Sequence, residues 1–380
     1  MASLYLHIPF CERKCLYCDF YSIENLAPME SFLSALDREI PLYADRGAGE
    51  RFDTVFFGGG TPSLLTPLQL ERLLARLHGT YTITPDAEIT LETNPGTVTK
   101  EKLSAYRTLG VNRLSIGIQS FREEELQFLS RIHTGEAALA CVAMAREAGF
   151  DNLSVDLMYS LPSQTIAQWD ATLRRAIALS PDHISAYSLI VEDNTPLARM
   201  VAARQVSPNP LEAEAALYEH TMIVLAGHGF EHYEVSNYSR PGKRSRHNYA
   251  YWSHRNYLAF GPSAHAFWHE DGWHAAARWS NVANLSTYTQ KLSRGELPVA
   301  FRETIAARQL MNERLFLGLR SDGVDLDRFA RDFGTPLPDA ALSLAGALVA
   351  DGKAVMEGSV LRLTPNGFLL CDEIASRMMI

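Results

Sequence analysis

Cys11-Glu12-Arg13-Lys14-Cys15-Leu16-Tyr17-Cys18 places three thiols within eight residues, in the spacing C-x3-C-x2-C. The stretch follows an apolar run, Leu4 to Ile8, and the break at Pro9, so it reads as the loop after a first strand. Iron–sulfur clusters are held by cysteine thiolates, usually four for a [4Fe-4S] cube. Three thiolates on one loop hold three irons and leave the fourth open. An open metal position is where a small molecule binds and reacts. A zinc site, with His7 or an external group as fourth ligand, and a disulfide are the alternatives.

Outward from this loop, short apolar runs alternate with amphipathic stretches. The expected strands are Leu4–Ile8, Thr54–Phe57, Glu88–Thr93, Arg113–Gln119, Leu153–Met158 and His183–Ile190. Helical patterns lie between them, near 29–45, 66–78, 99–109, 135–149 and 164–179, with another over 210–228. Strands alternating with helices imply βαβ units, a parallel sheet and the α/β class. Six such strands are too few for a closed eight-stranded barrel. In open α/β sheets the carboxyl ends of the strands carry the ligand site. The cysteine loop follows the first strand and therefore lies at that end.

Other residues converge on the same end. Phe57-Gly58-Gly59-Gly60-Thr61-Pro62 closes the second strand. Glycines there let the backbone approach a ligand and expose its N–H and C=O groups, though the same triplet also suits a tight strand-to-helix turn. Glu92 ends the third strand, Gln119 ends the fourth, Asp156 lies in the fifth, and Arg131 follows in Leu129-Ser130-Arg131-Ile132-His133. Singly, each suits a satisfied polar residue at a sheet end. At successive strand ends they suit one ligand: carboxylates for hydroxyls, an arginine for a carboxylate.

The cysteine spacing resembles the signature of the radical S-adenosylmethionine (SAM) superfamily. That resemblance implies a [4Fe-4S] cluster on Cys11, Cys15 and Cys18, with SAM chelating the open iron. The implied core is a partial (β/α)6 barrel, expected over residues 1–230. Leu4–Phe10, Gly-Gly-Gly-Thr-Pro-Ser, Glu-Thr-Asn-Pro-Gly, Ser-Ile-Gly-Ile-Gln-Ser-Phe and Asp-Leu-Met narrow the match to the oxygen-independent coproporphyrinogen III oxidase family, over roughly 4 to 265. By that resemblance Tyr5, Tyr17, Gly60, Thr61, Glu92, Gln119, Arg131 and Asp156 bind SAM. The oxidase pattern continues to a fourth cysteine, where this sequence has Phe20, and the oxidase has a long segment before its cluster. Both departures imply a sister branch of heme chaperones, without the oxidase activity. A radical SAM enzyme acting on a porphyrin is the alternative.

His247-Asn248-Tyr249-Ala250-Tyr251-Trp252 has the form H-N-x-x-Y-W, which in that branch is linked to heme. Imidazole is a common axial ligand of heme iron. Tyr251 and Trp252 offer flat apolar surface to a macrocycle. Arg240, Lys243, Arg244 and Arg246 form a basic loop suited to propionates or to plain solvation. His265, in Gly261-Pro262-Ser263-Ala264-His265, is a second ligand candidate among several histidines in this half.

Residues 231–298 show no regular period and read as an irregular, heme-linked region. A C-terminal module is expected over 299–380, with helices near 303–319, 325–333 and 338–351. A ribbon follows, Ala354–Glu357 and Val360–Leu363, and then a last helix from Thr364-Pro365. This order resembles a winged helix, taken as a packing or protein-contact domain. The composition is ordinary globular material, 47% hydrophobic and 21% charged, with net charge −9, which speaks against a nucleic-acid surface. Few cysteines, three of them clustered, and no charged-then-apolar leader point to the cytoplasm. The resemblance implies heme and an apo-hemoprotein acceptor as partners, with a membrane-bound cytochrome among candidate acceptors and a homodimer as a candidate assembly.

Overall fold

The computed structural model describes residues 1–380. Six strands alternate with helices as the periodicity requires: β1 (Ala2–Ile8), β2 (Arg51–Gly59), β3 (Thr82–Thr93), β4 (Arg113–Gln119), β5 (Leu153–Tyr159) and β6 (His183–Ser188). They pair in parallel and in sequential order. The covering helices start where side chains satisfy their first N–H groups. Thr66 with Gln69, and Thr165 with Gln168, form reciprocal capping boxes.

Parallel strands covered on both faces usually read as continuous apolar runs. Here they alternate. Leu4, Leu6, Ile8, Val55, Phe57, Leu91, Leu114, Ile116, Leu153, Val155 and Ile184 are fully buried in the core. The intervening side chains, among them Tyr5, Glu92, Ser115, Asp156 and Ser185, line a polar interior. The sheet therefore separates a dry core from a wet lumen, which is where a polar cofactor can sit.

Residues 231–298 differ from the irregular region expected. They contain β7 (Glu231–Glu234), β8 (Asn237–Ser239), a helix over Arg246–Trp252, β9 (Tyr257–Phe260), β10 (His265–Asp271) and β11 (Ala275–Asn281), and β12 (Val299–Ala306) follows. β8 pairs with β6 and β9 with β1, giving one sheet in the order β12-β11-β10-β9-β1-β2-β3-β4-β5-β6-β8-β7. β7–β8 and β9 to β12 pair locally as antiparallel meanders, and only β8 on β6 and β9 on β1 join them to the parallel core, so the periodicity of the first half does not extend to them.

The helix expected from about 303 begins only at Ala307, because residues 299–306 are consumed as the edge strand β12. Beyond it lie β13 (Val324–Asp325), helices Leu326–Phe333 and Asp339–Ala350, and the ribbon β14 (Ala354–Glu357) and β15 (Val360–Leu363). The three strands pair in the order β13-β15-β14, the arrangement of a winged helix. The last helix is split into Pro365–Phe368 and Cys371–Met378. This module docks on the large sheet through polar contacts: Arg244 Nη1 donates to Asp322 at 2.7 Å, and Arg278 Nη2 to Glu313 at 2.6 Å. No helix is long and apolar enough to cross a membrane.

Candidate functional site

At the carboxyl ends of β1–β5 a cavity of about 420 Å³ is lined by Cys11, Cys15 and Cys18 together with Tyr17, Gly60, Thr61, Glu92, Gln119, Arg131 and Asp156. The three thiols are free, and no trio of His, Cys, Asp or Glu converges on one point that would hold a single ion. Zinc requires four ligands converging at about 2.0–2.3 Å. A cube instead binds each thiolate on its own iron and needs only three on the protein when the fourth iron is open. His7 is occupied elsewhere, its Nε2 lying 2.8 Å from the Tyr21 carbonyl oxygen. The residues present thus fit a cluster better than zinc.

The glycine triplet is needed for close chain crossing. The Gly60 N–H donates to the Ile8 carbonyl at 2.8 Å, and a Cβ on Gly60 would stand 2.6 Å from the Phe10 carbonyl oxygen. Gly59 has φ of +108°, and a Cβ there would meet the His7 ring at 2.7 Å. The turn therefore seats the base of the cysteine loop as well as lining the cavity.

Glu92 accepts from the Gly59 N–H at 3.1 Å, and burial, with nearby Asp156, pushes its carboxyl up to about 8. Asp156 is also raised by burial; Ser115 Oγ donates to it at 3.0 Å. Gln119 sits at a bulge against β5 with φ of +67°, a conformation that re-aims a strand-end side chain. Arg131 Nη1 reaches Cys15 Sγ at 3.6 Å. Its Nη2 is braced by Asn94 Oδ1 at 2.5 Å and the Gly117 carbonyl at 2.6 Å.

A second cavity of about 500 Å³ lies behind the first, lined by Tyr5, His7, Phe56, Arg113, His247, Tyr251, Tyr257 and His265 among others. The two share Phe20, Glu92, Ser115, Asp156 and Tyr187 as a common wall. Residues more than two hundred positions apart in sequence thereby meet. Glu88 draws the Arg246–Trp252 helix into the lumen by accepting from the N–H groups of Arg246 (3.2 Å) and His247 (3.1 Å) at its N-terminus.

His247 is 1% exposed, and both ring nitrogens are engaged: Nδ1 with Thr54 Oγ1 at 2.8 Å, Nε2 with the Tyr251 hydroxyl at 2.9 Å. It stacks on Phe56, and burial lowers its basicity to about 3. His265 lines the same cavity from an exposed position at the start of β10. Trp252 lines neither cavity. The four basic residues expected to meet propionates line neither cavity either. Arg240 bonds the His228 carbonyl, and Lys243 bonds the Asp151 carbonyl. Arg244 pairs with Asp322 and Arg246 with Asp53. The sequence reading passed over Arg113, whose signal was a charged residue on the polar side of an alternating strand.

Residues 5–176 match the radical SAM superfamily model and residues 305–370 the HemN C-terminal domain model. The chain is 35% identical to the heme chaperone HemW of Bacillus subtilis, covering 98% of each. It is 35% identical to that of Mycobacterium tuberculosis, covering 99% of this chain and 94% of the relative. The structure of coproporphyrinogen III oxidase (HemN) from Escherichia coli, described there as a radical SAM enzyme, superposes with a TM-score of 0.84 at 25% identity, covering 100% of this chain and 90% of that one. On this fold, this cavity and these relatives, the chain belongs to the HemW family.

Proposed function

We propose that this chain is a heme chaperone: it binds heme in the second cavity and passes it to an apo-hemoprotein acceptor. The observation that carries the reading is the shared wall, which sets a histidine- and aromatic-lined cavity against the one lined by the three cysteines. Cys11, Cys15 and Cys18 would hold the [4Fe-4S] cluster. Glu92, Gln119, Arg131 and Asp156 would hold SAM, with Tyr17, Gly60 and Thr61 around it, while Tyr5, expected at SAM from the sequence, lines the second cavity instead. When bound, the cluster supplies an electron for reductive cleavage of SAM. For heme, His265 offers the exposed imidazole, while His247 and Tyr251 support the wall behind it. Free thiols and the reducing habit of such clusters support a cytoplasmic setting.

The test is anaerobic reconstitution, heme titration, and transfer to candidate apo-cytochromes. Stoichiometric heme binding and transfer are expected. The same shared wall favours a second reading, an enzyme acting on a porphyrin within reach of SAM. Robust protoporphyrinogen formation from coproporphyrinogen, with reductant and SAM, would establish that reading and overturn the first.

A further inference from the structure

The second cavity has one arginine or lysine in its wall, and no protein group pairs with it. Arg113 opens β4, is 1% exposed and lines the cavity. Its Nε is buried without an acceptor. Burying a charge without a partner is strongly unfavourable, and native arginines are normally paired. Arg131, in the first cavity, also leaves its Nε without an acceptor, but its Nη2 has acceptors at 2.5 and 2.6 Å, whereas the Arg113 guanidinium makes no side-chain hydrogen bond or ion pair at all. Arg113 feels the charges of Glu92 and Asp156 without forming an ion pair to either. Two positions along the strand, Ser115 lines the same cavity, so alternation sends both side chains to the lumen.

We propose that Arg113 anchors a carboxylate of the ligand in the second cavity, namely a propionate of the tetrapyrrole. The identity of that ligand rests on the heme reading above. A guanidinium presents a planar fork that matches a carboxylate bidentately. The Tyr187 hydroxyl lines the same cavity and can serve a remaining lone pair. Neither neighbouring acid forms an ion pair with Arg113: burial pushes Glu92 up to about 8, and Asp156, also raised by burial, takes its hydrogen bonds from serines. The competing role for Arg113 is charge compensation of Glu92 and Asp156 alone, which predicts no preference between a free and an esterified ligand.

The test measures fluorescence-detected binding of protoporphyrin IX and of its dimethyl ester to the reconstituted full chain. An iron-free probe removes axial ligation from the readout. Wild type is expected to prefer the diacid by about tenfold or more, the scale of one charge-assisted contact. Arg113→Met should lose most of that preference while binding the ester unchanged, and Arg113→Lys should keep part of it. An unaltered diacid-to-ester ratio in Arg113→Met overturns the anchor and leaves the heme reading standing. If the methionine variant does not fold, the wild-type ratio and Arg113→Lys decide: a ratio near one in wild type, or no loss with lysine, overturns it. Wild type that binds neither porphyrin overturns the anchor, and the heme titration described above, which keeps axial ligation, then decides the heme reading separately.

Discussion

Arg131 Nη1 stands 3.6 Å from Cys15 Sγ, while the same guanidinium is fixed by Asn94 and the Gly117 carbonyl. The arginine is thus pre-set beside the thiol that would hold an iron, with no rotamer to freeze on binding. Replacing it by methionine should weaken SAM binding about 10- to 100-fold, as expected for losing a hydrogen bond to a charged group. The iron content should stay unchanged. Anaerobic calorimetry with iron counting separates the two effects. Unchanged SAM affinity in Arg131→Met would remove the residue from the SAM site.

Gly60 tests the close crossing beneath the cysteine loop. A Cβ there meets backbone atoms of Phe10 and Ile8, which cannot rotate away. Gly60→Ala should cost about 1–3 kcal/mol of stability by overpacking. It should also lower cluster occupancy, because Phe10 directly precedes Cys11. Gly79→Ala, where nothing lies within 4 Å, is the control and should be neutral or slightly stabilising. Denaturant unfolding of the apo chain and iron counts after reconstitution measure both.

Glu39 gives a pH prediction. It is fully buried and accepts from Tyr288 Oη and Asn281 Nδ2 at 2.5 Å and from the Gly261 N–H at 2.8 Å. Burial outweighs those bonds and pushes its carboxyl up to about 7. A free glutamic acid titrates near about 4.3. Between the two values the unfolded chain has released a proton that the folded chain keeps. The contribution is therefore complete below the lower value and declines as pH rises through the window. Glu39→Gln should flatten the fall in melting temperature across that range. An identical pH profile in the variant would show that Glu39 does not titrate in it.

The two histidines of the second cavity should separate in heme binding. His265→Ala should shift the Soret band and weaken heme retention. His247→Ala should leave the Soret position in place and lower thermal stability, since it removes the partner of Thr54 and Tyr251. Optical titration and thermal unfolding of both variants decide the matter. A Soret shift confined to His247→Ala would require its hydrogen bonds to break on binding and would reverse the roles proposed for the two residues.

Much of the first half was legible in sequence because its information is local. Strands and helices repeat with periods of about 2 and 3.6 residues, and each β–α turn carries its polar residue at a fixed strand end. Cys11, Cys15 and Cys18 lie on one loop, so their meeting needs no long-range information. Glu92, Gln119 and Asp156 follow once the sheet is parallel and sequential, because each strand then delivers its carboxyl end to the same side.

What the sequence by itself determined, then, was the six-strand α/β core and the cysteine-lined end of it. Only the tertiary structure decided the rest. The strands β7–β12 join the core because its two edges, β6 and β1, offer hydrogen-bonding partners to β8 and β9, an effect absent from any local period. His247 sits in the lumen with both nitrogens engaged because Glu88, 159 residues earlier, caps its helix. The basic loop was legible as charge, but partners on β2 (Asp53), in neighbouring loops (Asp151, His228) and in the C-terminal module (Asp322) took it away from the cavity. Arg113 was hidden for the complementary reason: sequence shows a charge, and only the folded chain shows that nothing pairs with it.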